Sequence, residues 1–515
     1  MKSGQARMLL AEVGVALAVS ALIAGCGNNY RPVVTPITPS GPAPQVTSYV
    51  VVVSTTGPST PGVATIIDYA GDSIMAQAPI GIGPNAFTID ELGSEGYTVN
   101  ADGTLTNFPI TTSLQAKYVT QSTLPFSAQP VNMMAPSSGL WAADLTDNVV
   151  DVFSGSPQTF KLAIPLGTST APSTLPVSVF GPPTLTGQRE YVLSQNVPDT
   201  TGAMECNSAA RSAPLGAANP IEIASNTADP PIPVGKCPVY AVQSPDLQRF
   251  FVLNRGDDTI TVINSQNNAL DACTPFQNQN GVWVTCHPTI QLPAGSGPIY
   301  GEYNSATQQL VVANYDGGTI SVIDVSLDQY GNDSNTYANS SCSTGTYASC
   351  GAITGGFGTT YTIPVGNTAT PNPASVTVLA DGSKAYTANQ NDTAPGDPNG
   401  TVTVVNLSTH QVEKTLTVVG HPRTVVSTQN SEYSKVYVAS PDSPYVTVIS
   451  STPTVTDEVD TNILVEGDVV DLRVTTQNGT PGNANFTSRV PGYGQPCNLP
   501  GATYTATLAA CREIQ

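Results

Sequence analysis

Histidine and cysteine are the residues of this chain best suited to catalytic or metal chemistry, and they are few. The three histidines, His287, His410 and His421, lie in separate segments of the sequence. Catalysis needs a positioned acid, base, nucleophile or metal. The sequence has no GxSxG, HExxH, CxxCH or P-loop motif to supply one. No catalytic residue is therefore assigned from the sequence.

The nine cysteines predict disulfides. Setting aside Cys26, the remaining eight form an even set, which in an exported protein argues for disulfide bonds. The rival use is metal ligation, but no CxxC occurs and Cys286-His287 is the only Cys–His adjacency. Eight cysteines allow 105 pairings in principle, yet they fall in local couples. The predicted pairs are Cys206–Cys237, Cys273–Cys286, Cys342–Cys350 and Cys497–Cys511.

Two further features offer weak ligand candidates. Asp328, Asn332 and Asp333 supply oxygen ligands in one polar segment, which suits calcium, although Asp and Asn are also ordinary turn residues. Trp283 lies between Cys273 and Cys286, where its ring could either contact a ligand or shield the predicted disulfide. No cofactor is predicted beyond this calcium alternative.

Charge excludes some partners. The formal net charge is −20 with only 17 Lys plus Arg, so nucleic acid and basic-patch binding to anionic lipid are not expected. Charged residues make up 10% of the chain, while 45 Gly and 44 Pro favour short strands and many turns.

The N-terminal segment predicts export. Lys2 and Arg7 precede an apolar run over residues 8–24, which is the layout of a signal peptide spanning residues 1–25. Ile23-Ala24-Gly25-Cys26 resembles the bacterial lipobox, and the resemblance implies cleavage before Cys26 and diacylation of its thiol. The alternative is an ordinary secretory signal with a chance cysteine. Residues 26–46, rich in Pro and Thr, read as an extended tether. Gly27 in place of aspartate favours the outer membrane of the cell envelope by the same resemblance, facing either the periplasm or the cell surface.

Eight pairs of short apolar segments recur along the chain. Each pair is a strand ending in a small or amide residue, a polar turn, and a second strand that alternates. Both faces are largely apolar in several of them, which is typical of strands packed between two neighbouring sheets. The pairs are 49–54 with 63–69, 96–100 with 103–110, 140–145 with 148–154, 190–196 with 220–225, 250–254 with 259–265, 310–314 with 319–325, 385–389 with 401–407, and 436–440 with 445–450.

The segments LVVANYDGGTISVIDV (310–325) and GTVTVVNLSTHQVEKTLTVVGHPRTV (400–425) resemble the YVTN-type β-propeller repeat. The resemblance covers 240–450 well and 47–240 faintly. It implies an all-β ring of four-stranded blades, usually seven, whereas the repeat count allows seven or eight. The propeller is expected over 47–476, closed by pairing VVDLRVTT (469–476) beside YVVVVS (49–54), with 477–515 as a disulfide-tied segment on the ring. The resemblance also places His421 near the central face, which makes it a weak ligand-binding candidate.

Two functions are compatible with this fold. The first is a lipid-anchored envelope protein whose propeller is a rigid platform for a protein or glycan ligand, since loops on a rigid scaffold commonly carry recognition. The alternative is a propeller enzyme, resembling lactonases or quinoprotein dehydrogenases, that acts in the central tunnel. The scarcity of His, Lys and Arg favours the binding platform.

The lipobox resemblance gives the first testable prediction. Mass spectrometry of the mature protein should find Cys26 as the N-terminal residue with a diacylglycerol on its sulfur, and Cys26→Ala should release the protein from membranes because the acyl chains hold it there. An unmodified Cys26 thiol in membrane-derived protein would contradict the prediction.

Overall fold

The computed structural model describes residues 48–475 except 91, 137–138, 182–188, 197–205, 207–212, 247, 394–396, 429–433 and 452–455. The signal peptide, Cys26, the tether, and the segment with Cys497 and Cys511 lie outside the described residues. Within these limits the chain is all-β, with three short 3₁₀ turns at Ala116–Tyr118, Ser340–Ser343 and Tyr347–Cys350.

The first three blades are consecutive antiparallel sheets. Their strands are β1 (Tyr49–Thr55), β2 (Pro61–Asp68) and β3 (Ile74–Ile82); β4 (Pro84–Ile89), β5 (Glu95–Asn100), β6 (Thr104–Pro109) and β7 (Thr120–Thr123); and β8 (Pro130–Met134), β9 (Leu140–Asp144), β10 (Val149–Ser154) and β11 (Thr159–Pro165).

The next three blades carry additional short strands in their loops. After the hairpin β12 (Gly167–Thr168) and β13 (Ala171–Pro172), the strands are β14 (Pro176–Phe180), β15 (Arg189–Ser194), β16 (Leu215–Glu222), β17 (Thr227–Ala228) and β18 (Ile232–Lys236); β19 (Pro238–Gln243), β20 (Arg249–Asn254), β21 (Thr259–Asn264), β22 (Ala269–Leu270), β23 (Phe276–Gln277), β24 (Trp283–Val284) and β25 (Thr289–Gln291); and β26 (Pro298–Asn304), β27 (Gln309–Asn314), β28 (Thr319–Asp324), β29 (Asn335–Tyr337), β30 (Ile353–Gly356) and β31 (Thr360–Pro364).

The last two blades return to the simple pattern, and one further strand follows them. The strands are β32 (Pro373–Val378), β33 (Lys384–Asn389), β34 (Asn399–Asn406) and β35 (Gln411–Val419); β36 (Thr424–Ser427), β37 (Lys435–Ala439), β38 (Tyr445–Ser451) and β39 (Thr456–Leu464); and finally β40 (Asp468–Val474).

The sheets form a closed ring of eight blades. Each inner strand contacts the inner strand of the next blade, in the order β40, β4, β8, β14, β19, β26, β32, β36 and back to β40. This confirms the predicted β-propeller and decides its blade number as eight. The repeated segment pairs are the second and third strands of the blades.

The ring closes by mixing the two ends of the chain, as predicted. β40 pairs antiparallel with β1, with Val474 opposite Val50, and becomes the inner strand of blade 1. The Tyr49 amide donates to Thr475 Oγ1 at 2.7 Å, and the Tyr69 hydroxyl donates to the Thr475 carbonyl at 2.8 Å. Closure removes the exposed sheet edges that would otherwise pair with other chains.

Blade 4 departs from the sequence prediction. Its third strand covers Leu215–Glu222 and not 220–225. The chain turns at Asn226, whose φ is +54° and whose amide donates to the Glu222 carbonyl, so the strand cannot continue. Near the start of this strand, residues 216–218 are glycine and alanine, so the sequence pattern predicts a loop there. Gly216 needs that small size, since a Cβ there would lie 2.4 Å from Pro238.

In four blades an asparagine at the end of the second strand ties the hairpin of the second and third strands together. Asn314 Nδ2 donates to Thr319 Oγ1 and to Ser321 Oγ, both at 2.9 Å, because Thr319 is its cross-strand partner and Ser321 lies on the same face two residues on. The repeat of Asn with two downstream hydroxyls is therefore a buried hydrogen-bond lock. The same lock occurs at Asn100 with Thr104 and Thr106, Asn254 with Thr259 and Thr261, and Asn389 with Thr401 and Thr403.

Polar side chains also join one blade to the next around the tunnel. An inner strand has no strand on its tunnel side, so its outward-facing backbone groups need other partners. The partners come from the inner strand of an adjacent blade: Val179 N to Asn132 Oδ1 at 2.9 Å, Val378 N to Glu302 Oε2 at 3.3 Å, Val425 N to Ser375 Oγ at 3.0 Å, Ser427 N to Thr377 Oγ1 at 3.0 Å, and Arg473 Nη2 to Phe87 O at 3.0 Å.

Blade 3 carries two carboxyl groups where other blades carry the lock. Asp144 ends β9 and Asp151 lies on β10 at the position of the second hydroxyl, and both are buried. Burial, together with the neighbouring Asp144 carboxylate, raises the pKa of Asp151 to about 7. A pair of close carboxyl groups in an apolar setting shares a proton in this way.

This pair predicts a pH-dependent stability. Folding raises the pKa of Asp151, so the protonated carboxyl contributes to the free energy of unfolding. This contribution is fully present below about pH 4 and is lost as the pH rises through about 7. Asp151→Asn, which cannot ionise, should therefore stabilise the fold by on the order of 2 kcal/mol at pH 8 and hardly at all at pH 4.

Urea unfolding at both pH values measures this difference, with Asp460→Asn, an exposed carboxylate of blade 8 that does not act on the pair, as the control. An equal effect of Asp151→Asn at pH 4 and pH 8 would show that the two carboxyl groups are not coupled to folding.

Candidate functional site

Two insertions lie side by side on one face of the ring. Residues 271–288 follow the third strand of blade 5, and residues 325–359 follow the third strand of blade 6. Loops between third and fourth strands emerge at the same end of every blade, because the strands alternate in direction. The first insertion carries the hairpin β23–β24 and the second carries β29–β30.

The space between the insertions is the insert groove, with a cavity volume of about 460 Å³. This lies within the range of about 300–1,000 Å³ typical of small-molecule sites. The groove is lined by Asn278, Asn280, Val282, Trp283, Val284, Asp328, Gln329, Tyr330, Asp333, Ser334 and Asn335.

Hydrogen bonds across the groove hold the two insertions together. They come from both sides and involve side chains as well as backbone carbonyls, so the walls are fixed before any ligand arrives. They are Asn278 Nδ2 to Asp328 Oδ2 at 3.0 Å, Tyr330 OH to Asn280 Oδ1 at 3.1 Å, Asn335 Nδ2 to Thr285 O at 3.1 Å, Trp283 Nε1 to Gly345 O at 3.0 Å, and Tyr337 OH to Trp283 O at 3.1 Å.

A cluster of buried charged side chains lies beneath the insert groove. Arg249 Nη2 lies 3.2 Å from Asp271 Oδ1 and 3.6 Å from Asp333 Oδ1, and it donates to the Gly331 carbonyl. Asp333 Oδ2 lies 2.7 Å from His287 Nδ1, so the carboxylate orients the imidazole. Burial and the Asp333 carboxylate raise the pKa of Asp271, Arg249 opposes them, and the net pKa is about 6.

One oxygen of a groove-lining residue has neither a hydrogen-bond partner nor an ion-pair partner among the described residues. It is Asn335 Oδ1, a buried atom, whereas Asp333 Oδ1 faces Arg249 in the charge cluster at 3.6 Å. A buried acceptor without a donor costs about 1–3 kcal/mol. A donor placed beside Asn335 would therefore gain more than one placed against a satisfied acceptor.

Three disulfides stabilise the loops. Cys206–Cys237, Cys273–Cys286 and Cys342–Cys350 have Cα atoms 5.4, 5.4 and 4.4 Å apart. They are the pairs that the local spacing predicted. Cys273–Cys286 brackets the first insertion and Cys342–Cys350 lies in the second.

The calcium candidates lie at the groove, but their oxygens already have partners. Asp328 Oδ1 accepts from the Tyr330 and Asn332 amides at 2.8 and 3.0 Å. Burial would raise the pKa of Asp328, yet these hydrogen bonds and that from Asn278 outweigh it and lower the pKa. Asp333 contacts His287 and Arg249. Among the described residues, no three His, Cys, Asp or Glu side chains form a group that could hold a metal ion.

The two ligand-binding candidates from the sequence lie on opposite faces. Trp283 is in the insert groove. His421 lies in the connection that enters the first strand of blade 8, and that connection emerges at the other end of the sheets. Its Nδ1 is 2.5 Å from Asp442 Oδ2, and its amide donates to Asp442 Oδ1 at 2.8 Å. The pair is partly exposed. His410 is elsewhere, stacked on Tyr361 at 3.8 Å.

Sequence reasoning missed most of the groove. Asn278, Tyr330 and Asn335 carry no motif, and His287 is marked in the sequence only by its position next to Cys286. The usable signal was the similar placement of two cysteine-containing insertions in adjacent repeats, with aromatic and amide residues inside them.

Solved structures of other proteins share this fold. The dihydro-heme d1 dehydrogenase NirN is 12% identical with a TM-score of 0.53, covering 84% of this chain and 76% of its own. Apo AztD from Citrobacter koseri is 13% identical with a TM-score of 0.49, covering 83% and 97%. A periplasmic gluconolactonase from Pseudomonas aeruginosa is 16% identical with a TM-score of 0.43, covering 84% and 99%.

At these identities the likeness shows the fold alone. No family model matches the chain, and no curated protein matches it significantly. In the part of the chain that the structure describes, there is no helix with the length and apolar character to cross a membrane.

The disulfide of the first insertion gives a prediction about groove rigidity. Cys273→Ser with Cys286→Ser removes a constraint worth about 3 kcal/mol for a loop of this size. Opening of 274–285 should become roughly 100-fold more frequent, because that loop lies outside the ring.

Hydrogen exchange of the Asn278 amide, which donates to the Val282 carbonyl, reports this opening. The matched control, Cys342→Ser with Cys350→Ser, should speed exchange in 342–350 instead. Unchanged exchange at Asn278 in the first variant would mean that the hydrogen bonds alone hold the insertion.

Proposed function

We propose that this protein is a lipid-anchored propeller of the cell envelope that binds a protein or glycan ligand in the insert groove. The anchoring at Cys26 rests on the lipobox resemblance. Three disulfides support an oxidising compartment, where such bonds persist. The ring is the rigid support, and the insertions supply the recognition surface.

The observation that carries this proposal is the pre-formed groove. Both walls carry a disulfide, they are joined to each other by side-chain hydrogen bonds, and aromatic and amide groups line the space between them. A site fixed in advance loses little conformational entropy when a ligand binds. The YVTN-type resemblance of the repeats accounts for the ring but assigns no ligand.

An enzyme that works at the tunnel is the second proposal, and one observation favours it. His421 is hydrogen-bonded through Nδ1 to Asp442, which is the orientation that a general base requires. Against it, several polar side chains of the inner strands are already bonded to backbone groups of adjacent blades. This alternative predicts turnover that depends on His421, whereas the binding platform predicts ligand retention that does not.

Retention of envelope material tests the binding proposal. Immobilised protein is incubated with detergent-solubilised bacterial envelope, and retained polysaccharide and protein are quantified. Trp283→Ala with Tyr330→Ala should lower retention by about tenfold or more, because buried aromatic anchors dominate binding energy.

Phe126→Ala is the matched control, since this aromatic side chain is 98% exposed in a loop on the opposite face. Thermal unfolding confirms that the variants fold. Equal retention by the groove variant and the wild type would exclude the insert groove as the ligand site.

A further inference from the structure

We infer that the insert groove binds a short, neutral saccharide. This rests on the proposed function and narrows its ligand to one chemical class. Four properties of the groove carry the inference: its charge, its unpaired acceptor at Asn335, its fixed aromatic rings and its size.

The charge of the groove excludes anionic ligands. Asp328 and Asp333 are its acidic lining residues, and no Lys, Arg or His occurs among the described residues that line it. Arg249 and His287 pair with Asp333 from beneath the lining, which leaves Asp328 as the carboxylate without a cation. The hydrogen bonds to Asp328 lower its pKa against the effect of burial, so this carboxylate stays ionised. A phosphate, sulfate or uronate would be repelled by Asp328 and would find no cationic side chain in the lining.

The unpaired acceptor at Asn335 favours a ligand that donates hydrogen bonds. Asn335 Oδ1 is a buried atom of a lining residue, and it has no donor among the described residues. Sugar hydroxyl groups both donate and accept, and the neighbouring side-chain amides of Asn278, Asn280 and Gln329 do the same. A site that hydrogen-bonds hydroxyl groups discriminates strongly against ligands that lack them.

The aromatic rings offer flat faces with their polar ends already engaged. Trp283 Nε1 is bonded to the Gly345 carbonyl, and the Tyr330 hydroxyl is bonded to Asn280 Oδ1. What remains for a ligand is the apolar ring surface. The C–H faces of a pyranose ring are the complementary surface, because they are flat, apolar and bordered by hydroxyl groups. Rigid rings add this contact at low entropic cost.

The size of the groove disfavours a folded protein as the ligand. A stable protein–protein interface buries about 800 Å² on each partner. A cavity of about 460 Å³ with two narrow walls instead suits a ligand of one or two sugar rings.

Tryptophan fluorescence of the full protein tests the inference directly. The chain has two tryptophans, and Trp141 is buried in the core, so a ligand-dependent change in emission reports Trp283. The probes are maltose, cellobiose and diacetylchitobiose as neutral sugars, digalacturonate as the anionic sugar, and a tripeptide. At least one neutral disaccharide should give saturable binding, and digalacturonate and the tripeptide should give none.

Variants at Asn335 separate a ligand contact from a structural role. Asn335→Ala removes the acceptor and should weaken sugar binding about tenfold. Asn335→Asp keeps an acceptor oxygen but loses the donor to the Thr285 and Asp333 carbonyls, so it should bind within about threefold of the wild type. Equal loss in both variants would show that Asn335 acts only through its hydrogen bonds to these two carbonyls. Asn267→Ala, an exposed asparagine outside the groove, is the control.

The outcomes distinguish this inference from the proposal on which it rests. Binding of digalacturonate or the tripeptide in place of neutral sugars overturns the saccharide assignment and leaves the groove as a binding site. If no saccharide binds but envelope retention still depends on Trp283 and Tyr330, the saccharide assignment is likewise overturned and the groove remains a binding site. Loss of both signals overturns both.

Discussion

The ring depends on pairing the backbone groups that each blade leaves open at the tunnel. The two faces of a four-stranded blade pack against the adjacent blades. The strand at its inner edge, however, has no neighbouring strand on the tunnel side to pair with its backbone groups. In at least five places a polar side chain of an adjacent blade supplies the missing partner, as Asn132 does for Val179 and Ser375 does for Val425. Since an unpaired buried backbone group costs free energy comparable to a lost hydrogen bond, these contacts fix each blade against its neighbour.

The same logic explains why the sequence predicted the fold well. The Asn lock within a hairpin requires an amide and two hydroxyl groups at set positions, and it leaves a readable repeat. Strands buried on both faces leave continuous apolar runs, as in β1 and β20. Blade 4 was predicted incorrectly because its third strand has small residues near its start, and its lock is also inverted, with Asn219 on the third strand donating to Ser194 on the second. Blade 3 keeps the geometry with Asp144 and Asp151 in place of the usual groups.

The candidate site was much less predictable, for a physical reason. The groove is formed between residues about 50 positions apart, such as Asn278 with Asp328 and Tyr330 with Asn280. Neither insertion contains a repeated sequence pattern. The groove exists only because the two insertions lie next to each other in the fold. The cysteines predicted that the loops are closed, but not that the two loops meet. His421 was ranked first from its place in the repeat, and the structure puts it on the face opposite Trp283.

Closure of the ring by β40 also constrains the order of assembly. The Tyr49 amide and the Thr475 hydroxyl are 426 positions apart, so their bond forms only once nearly all of the chain is present in the compartment where it folds. Until then the valine-rich first strand has an open edge, and a chaperone that covers it would protect the incomplete chain from aggregation.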